Sequence, residues 1–363
     1  MVSGVRKAVI GGQVAVGPVI GRGSLWPRLL AGCLALVGVG LVAVSVGPAD
    51  VSLEATVRIL VSHLPGVGIS EDVSPAWRNI IWDVRLPRVL LAGAAGATLA
   101  LAGATYQGVF RNPLADPYLI GVATGANLAA TIVIVSDANV SAYGLSTLPL
   151  AAFAGALISV VVVYGIARVG GPASGTTLIL AGVALSALST AITAYLMITS
   201  TTNSVAVMSA VLGGFNTATW VKLAWVLPYA VPAALVILAH GRILNVLSLD
   251  EGQARQLGID IERTKVILLG AASLGAAAVV SVSGTIGFVG LIVPHAIRLM
   301  WGPDNRSLLP MTILVGAAFL IGADVLARTI RDPAETPVGI ITVSCGVPFF
   351  LYLLVRSRAG RLG

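Results

Sequence analysis

The chain has 363 residues, 57% of them hydrophobic and only 10% charged, with a mean hydropathy of +0.96. A soluble domain carries about a quarter charged residues, so the composition excludes a water-soluble fold and describes a polytopic α-helical membrane protein. The apolar runs are unbroken rather than alternating, which excludes a membrane β-barrel; the net charge of +7 is read below by its distribution.

Residues 1–28 are Gly-rich and weakly basic (Arg6, Lys7, Arg22, Arg28) and are read as an N-terminal tail in the cytoplasm. Leu30-Ala31-Gly32-Cys33 has the look of a lipoprotein cleavage box, but the apolar stretch follows it instead of preceding it. No signal-peptidase site follows Val46, so a first span is retained at about 29–47. Residues 48–84 are mixed, with Pro48, Pro65 and Pro75; 52–64 reads as a short interfacial helix. The run Val89–Val109 is about long enough to cross a bilayer, and its Gly and Ala residues let neighbouring helices approach closely. It stops at Arg111-Asn112-Pro113. Asp116-Pro117 is a second break, because the residue before proline is pushed out of the α region. A third apolar helix then leaves with Gly121 and Gly125.

The fourth span is expected at 148–168, ending at Arg168 and the turn GGPASG, and the fifth at 177–198. A Thr-rich piece with Gly213 and Gly214 is expected to hold a short helix outside the bilayer, before a sixth span at 221–240. The longest internal polar stretch follows, 241–265. Ser248 and Glu251 have capping-box spacing and predict a short helix starting there. Gly258 suits its stop, and Asp260 caps a second short helix leading into the seventh span, 266–283. The eighth span, 285–301, contains Pro294 and is expected to kink or end early; the ninth is 308–326 and the tenth 337–355.

Ten spans put both termini on one side. With that side in the cytoplasm, only seven of the 22 Lys and Arg residues face outward: Arg58, Arg78, Arg85, Arg88, Lys222, Arg328 and Arg331. This is the positive-inside bias, and it accounts for the basic balance without nucleic acid. The expected organisation is one transmembrane domain, 29–356, with a cytoplasmic tail at 357–363.

No catalytic constellation is visible. His63, His240 and His295 are far apart, and neither His-x-x-x-His nor Cys-x-x-Cys occurs, so no protein-built metal site is expected. Cys33 and Cys345 are isolated in apolar segments and read as packing residues. A phosphate-cradling loop needs Gly-Lys-Ser/Thr, but Lys7, Lys222 and Lys265 follow Arg, Val and Thr. No ATP site of that kind is present; an ATP-driven process needs its motor on another polypeptide.

Five stretches carry a resemblance to a known family: RLPRVLLAGAAGATLALAGATYQGVFRNPLADPYLIGVATGAN at 85–127, LILAGVAL at 178–185, LSLDEGQARQLGI at 247–259, GTIGFVGLIVPHAIR at 284–298 and ETPVGIITVSCGVPFF at 335–350. Over about residues 29–356 the chain resembles the permease subunits of bacterial ABC importers for ferric siderophores, haem and cobalamin, the FecCD-type or BtuC-like family. The resemblance implies an all-α membrane fold of about ten helices, of the type II importer class, in the bacterial cytoplasmic (inner) membrane. The implied partners are a second permease copy or a paralogue, two ATP-binding subunits carrying ATP and Mg, and an extracytoplasmic substrate-binding protein. The implied cargo is a ferric siderophore, with haem and cobalamin as alternatives; no cofactor is expected on this chain. An inverted repeat of spans 2–5 against 7–10 is implied but not evident by eye.

Three sets of residues are singled out. The segment 248–262, with Ser248, Asp250, Glu251, Ala254, Arg255, Leu257 and Gly258, resembles the family's ATPase-coupling segment; on residues alone it also reads as a solvated loop. Arg85, Arg88 and Arg328 match arginines that in the cobalamin member meet glutamates of the binding protein, with Arg331 nearby; the plain alternative is snorkelling to the interface. Asn112 and Leu114, with Gly175 and Thr176, lie where the family places its cytoplasmic gate, although the cobalamin member has Thr where this chain has Gly175; an ordinary tight turn is the alternative. Asp324 and Glu335 are read as partners of Arg328 or of a helix N-terminus. The rival class is an ion-coupled secondary transporter, which needs buried carboxylates or broken helices at mid-membrane.

Overall fold

The computed structural model describes residues 25–47, 51–63, 74–138, 140–142, 145–169, 171, 173–200, 204–249, 256–331 and 334–359. Its elements are α1 (Leu25–Ser45), α2 (Leu53–Ser62), α3 (Pro75–Asn79), α4 (Leu86–Phe110), α5 (Val122–Val135), α6 (Thr147–Ala167), α7 (Gly175–Thr199), α8 (Ser204–Leu212), α9 (Trp220–Ala239), α10 (Gly241–Leu249), α11 (Ile261–Ser283), α12 (Val289–Trp301), α13 (Asn305–Thr329) and α14 (Val338–Ala359). A π-turn, Ile80–Arg85, joins α3 to α4, and a 3-10 turn, Pro117–Ile120, precedes α5. The only strands among the described residues are a two-residue antiparallel pair, Ser141–Ala142 with Leu145–Ser146.

Among the described residues seven helices are long and apolar enough to cross a membrane, and three shorter apolar ones, in α5, α12 and α14, bring the count to ten. The fold is therefore an all-α membrane bundle. α4 is its axis: 78% of its apolar window is buried, against 17% for α7. It packs on α13, α11, α12 and α9. Small residues make that possible, because a Cβ on Gly96 would stand 2.1 Å from the Gly316 carbonyl of α13, and one on Gly103 would stand 2.0 Å from that of Gly290 in α12.

Several boundaries differ from expectation. The second span does not begin at Val89; helix runs continuously from Pro75 to Phe110. Pro87 has no N–H to give, and the π-turn just before it relaxes the ladder: the Leu86 N–H reaches back to Ile81. The eighth span begins at Val289, after a non-helical 284–288 in which Phe288 takes φ 69°, and Pro294 lies inside the helix. Ser248 starts no helix. It lies in the last turn of α10, where its Oγ donates to the Asn245 carbonyl. That helix was hidden in the polar stretch, and it buries Leu244 and Leu247. Asp260 caps as expected, accepting the Arg263 N–H, but the helix it starts runs unbroken to Ser283.

The interfacial helix is α2, capped by Ser52. Ala55, Thr56 and Ile59 face the bundle, while Leu53, Val57 and Val61 are left exposed on another side. Near it Trp82 stacks on His63 and accepts a backbone bond from Trp220 Nε1, an aromatic girdle of the kind found at membrane interfaces.

Candidate functional site

The end of the bundle expected outside the cell holds an arginine–carboxylate cluster. A helix leaves its last carbonyls without partners, and α1 ends at Ser45. Arg85 donates through Nη1 to the Val44 carbonyl (3.1 Å) and the Ser45 carbonyl (2.7 Å), while Arg328 Nη2 donates to that of Ala43. Two arginines from α13 and the start of α4 thus close the C-terminus of α1, where the helix dipole favours cations. Gly47 lets the chain leave, since a Cβ there would lie 2.7 Å from Arg85 Nη2.

Arg88 faces the other way, onto acids. Its Nε and Nη2 hold the Asp324 carboxylate, with Nε–Oδ2 and Nη2–Oδ1 both 2.9 Å, and Nη1 and Nη2 hold Glu335 at 2.7 and 3.0 Å. Asp324 lies 3.9 Å from Arg328, one turn along the same helix. The principal partner of both acids is therefore Arg88 rather than Arg328. All three arginines are buried, at 4%, 8% and 5% exposure; the Glu335 side chain, 39% exposed, is the member that reaches the surface. The cluster is a rigid platform, pinned further by the Thr336 N–H on the Ala327 carbonyl. Arg331 is exposed beside it.

The opposite end gathers the expected gate and coupling residues. α4 stops because Arg111 adopts a left-handed conformation, φ 50°. Asn112 Oδ1 then accepts the Leu114 N–H at 2.9 Å, and Asp116 Oδ1 accepts that of Tyr118, turning the chain twice. Burial pushes the Asp116 carboxyl up to about 6, against the opposing pull of the Tyr118 N–H. Gly175 opens α7 behind a Ser174–Thr177 capping box, and a Cβ on it would meet the Phe110 ring at 3.1 Å. The two segments expected to form the gate are thus neighbours through Phe110. Leu114 and Thr176 are exposed.

Of the residues expected to couple to an ATPase, Ser248, Leu257 and Gly258 are described: Leu257 is exposed and Gly258 turns with φ 77°. Asp250, Glu251, Ala254 and Arg255 lie outside the described residues. Two polar links at this end were not anticipated. Asn245 Nδ2 donates to Asp304 and its Oδ1 accepts the Asn305 N–H. Gln107 donates to the Gly290 carbonyl and accepts from Arg298. A glutamine inside the apolar run of the second span was the available signal for the second link. Among the described residues no three His, Cys, Asp or Glu side chains gather into a metal site.

Comparison with known proteins agrees along the whole bundle. The model of the FecCD transport family matches residues 34–356. The cobalamin import system permease of Halobacterium salinarum is 46% identical over 282 residues, 78% of this chain and 74% of that protein. The hemin transport system permease of Yersinia pestis is 37% identical over 347 residues, 94% of this chain and 100% of that protein. A solved inward-facing conformation of a metal-chelate type ABC transporter superposes with a TM-score of 0.79 at 31% identity, covering 91% of this chain and 99% of that one.

Proposed function

We propose, for a chain that belongs to the FecCD transport family and is the permease of an ABC importer, that its cargo is a ferric chelate of the siderophore type. The similarity to a metal-chelate transporter structure over nearly the whole chain supports that class of cargo. Cobalamin is the second reading, favoured by the 46% identity to the halobacterial cobalamin permease.

The observation that carries translocation is the bareness of α7 and α14. α7 leaves Leu188, Tyr195 and Ile198 exposed, and α14 leaves Val343, Leu351 and Tyr352 exposed. α8 touches both helices, which puts them on one side of the bundle. A second permease copy or paralogue set against that side would enclose a path between them. Asp324, the buried acid among the described residues of the spans, is committed to Arg88, which disfavours an ion-coupled secondary transporter. Two ATP-binding subunits, with their ATP and Mg, are proposed to engage 248–262. The turn 111–114 with Gly175 and Thr176 is proposed to close the path on that side.

At the other end a substrate-binding protein is proposed to dock over Arg85, Arg88 and Arg328. Because these are internally bonded, its carboxylates would enter by exchange for Glu335, swapping one acid for another on Arg88. Arginine suits this, since its planar fork grips a carboxylate at two points. The test is uptake into proteoliposomes holding the assembled transporter, offered a ferric siderophore, haemin or cobalamin with ATP. Saturable uptake of the ferric siderophore alone supports the proposal. Uptake of cobalamin or haemin in its place replaces it, and uptake driven by an ion gradient without ATP overturns the importer mechanism.

A further inference from the structure

We propose that α10 is a strut that carries displacement from the ATPase-facing segment directly to the gate turn, with Arg111 and Asn245 as its positioning residues. The proposal rests on the reading of 248–262 as that segment.

A displaced segment pulls on whatever it is joined to at both ends. One end is α11, which begins at Ile261; the other is α10, which ends at Leu249. α10 is no free extension of the sixth span. Its Leu244 and Leu247 are 0% and 1% exposed, and Leu244 fits against Gly108 near the end of α4, where a Cβ would come within 3.0 Å of it. Gly241 sits over Leu309 and the Asn305 backbone of α13.

Two polar ties then fix its register. Arg111, the residue that ends α4 and begins the gate turn, donates from Nε to the Leu247 carbonyl at 2.9 Å. That carbonyl belongs to the last turn of α10, where intrahelical partners run out. Asn245 donates to Asp304 Oδ1 at 2.7 Å and accepts the Asn305 N–H at 2.8 Å, so its amide joins α10 to the start of α13. Two bonds from one planar amide fix orientation as well as distance. A short helix held at four of its residues, Gly241, Leu244, Asn245 and Leu247, moves as a body, and moving it moves Arg111. The turn carrying Asn112 and Leu114 follows directly in the chain, so the route from segment to gate is one helix and one hydrogen bond long.

The experiment uses the complete transporter with its ATPase and binding protein in proteoliposomes. Cys33 and Cys345 are replaced by Ser and a spin label is placed at Leu114→Cys. The readouts are the nucleotide-driven change in label mobility and the cargo moved per ATP hydrolysed. Arg111→Ala and Asn245→Ala are each expected to reduce both by about tenfold, the scale of losing a charged or doubled hydrogen bond, while the ATPase stays bound. Arg111→Lys, which keeps a donor beside Leu247, should recover part of the response, as a mere packing defect would not. If Asn245→Ala fails to fold, Asn245→Asp, which keeps the acceptor for Asn305 but repels Asp304, carries the same test. An unchanged label response in the double variant with ATPase bound overturns the strut. Loss of ATPase binding in either single variant also overturns it, because the residues then belong to the socket. Deletion of 250–257 with coupling intact removes the underlying reading instead, and is told apart by that variant alone.

Discussion

Arg88 and Asp324 stand 236 positions apart in the chain, yet two parallel bonds of 2.9 Å lock the guanidinium of one onto the carboxylate of the other. The pair ties α4 to α13, the axis of the bundle to its ninth span, at 8% and 1% exposure. Breaking a buried pair by removing one partner typically costs about 3–5 kcal/mol, whereas replacing both by apolar residues of similar volume is often neutral. Asp324→Ala is therefore expected to lower thermal stability in detergent sharply. Arg88→Met with Asp324→Leu should recover most of it. A double variant as unstable as the sum of the two singles would show that the pair is not acting as a unit.

Glu335 separates docking from support. Glu335→Gln keeps the side chain's shape and leaves the Asp324 pair in place, but removes the half-buried charge that covers Arg88 on its surface side. If a binding protein's carboxylate takes that position, docking should tighten by roughly tenfold and become more salt-dependent, as for charge pairs at an interface. Unchanged affinity and salt dependence, measured by titration of the binding protein against the reconstituted transporter, would falsify the exchange. Arg306→Ala, an exposed arginine at the opposite end with no part in the gate turn or the strut, is the control and should leave docking unaltered.

The spans were legible in the sequence because hydropathy is local. The fourth, expected at 148–168, is Thr147–Ala167, and the fifth, expected at 177–198, is Gly175–Thr199. α10 was not, because Arg242, Asn245 and Ser248 mask two buried leucines three residues apart. Nor does the sequence report that helix continues through Pro87, where proline costs a ladder bond, because a π-turn just before it carries the helix past. The roles of the arginines were the least legible. Arg85 with Val44 and Arg88 with Asp324 are pairings between distant parts of the chain, and no spacing rule in a single sequence reports them.

The crossing of α4 and α13 gives a sharper stability test. A Cβ on Gly96 would lie 2.1 Å from a backbone carbonyl and 2.7 Å from Leu320 Cβ, and neither can swing away as a side-chain tip would. Overpacking typically costs about 1–3 kcal/mol, and more where backbone must move. Gly96→Ala should therefore lower the unfolding temperature in detergent or prevent accumulation in the membrane. Gly38→Ala, where nothing lies within 4 Å, should do neither.

The bare face of α7 gives the last prediction. An apolar helix with little burial can simply face lipid, and α1, only 11% buried over its apolar window, exposes bulky Leu30, Leu34 and Val37 as a lipid-facing helix does. α7 exposes bulky residues as well, Leu180, Val183 and Leu188 among them, but beside them a longer run of small ones. Ala184, Ala187, Thr190, Ala191 and Ala194 are all on view, and small residues in a membrane mark helix–helix approach rather than lipid contact. Ile198, 80% exposed at the end of that helix, should lie near its counterpart or near α14 of a second copy. With Cys33 and Cys345 replaced by Ser, Ile198→Cys is expected to give a dimer band with a short bifunctional maleimide in native membranes. Val161→Cys, 69% exposed on α6, is equally accessible but lies on a different helix and should give none. Cross-linking at Val161 with none at Ile198 would place the second copy against α6 and move the translocation path away from α7 and α14.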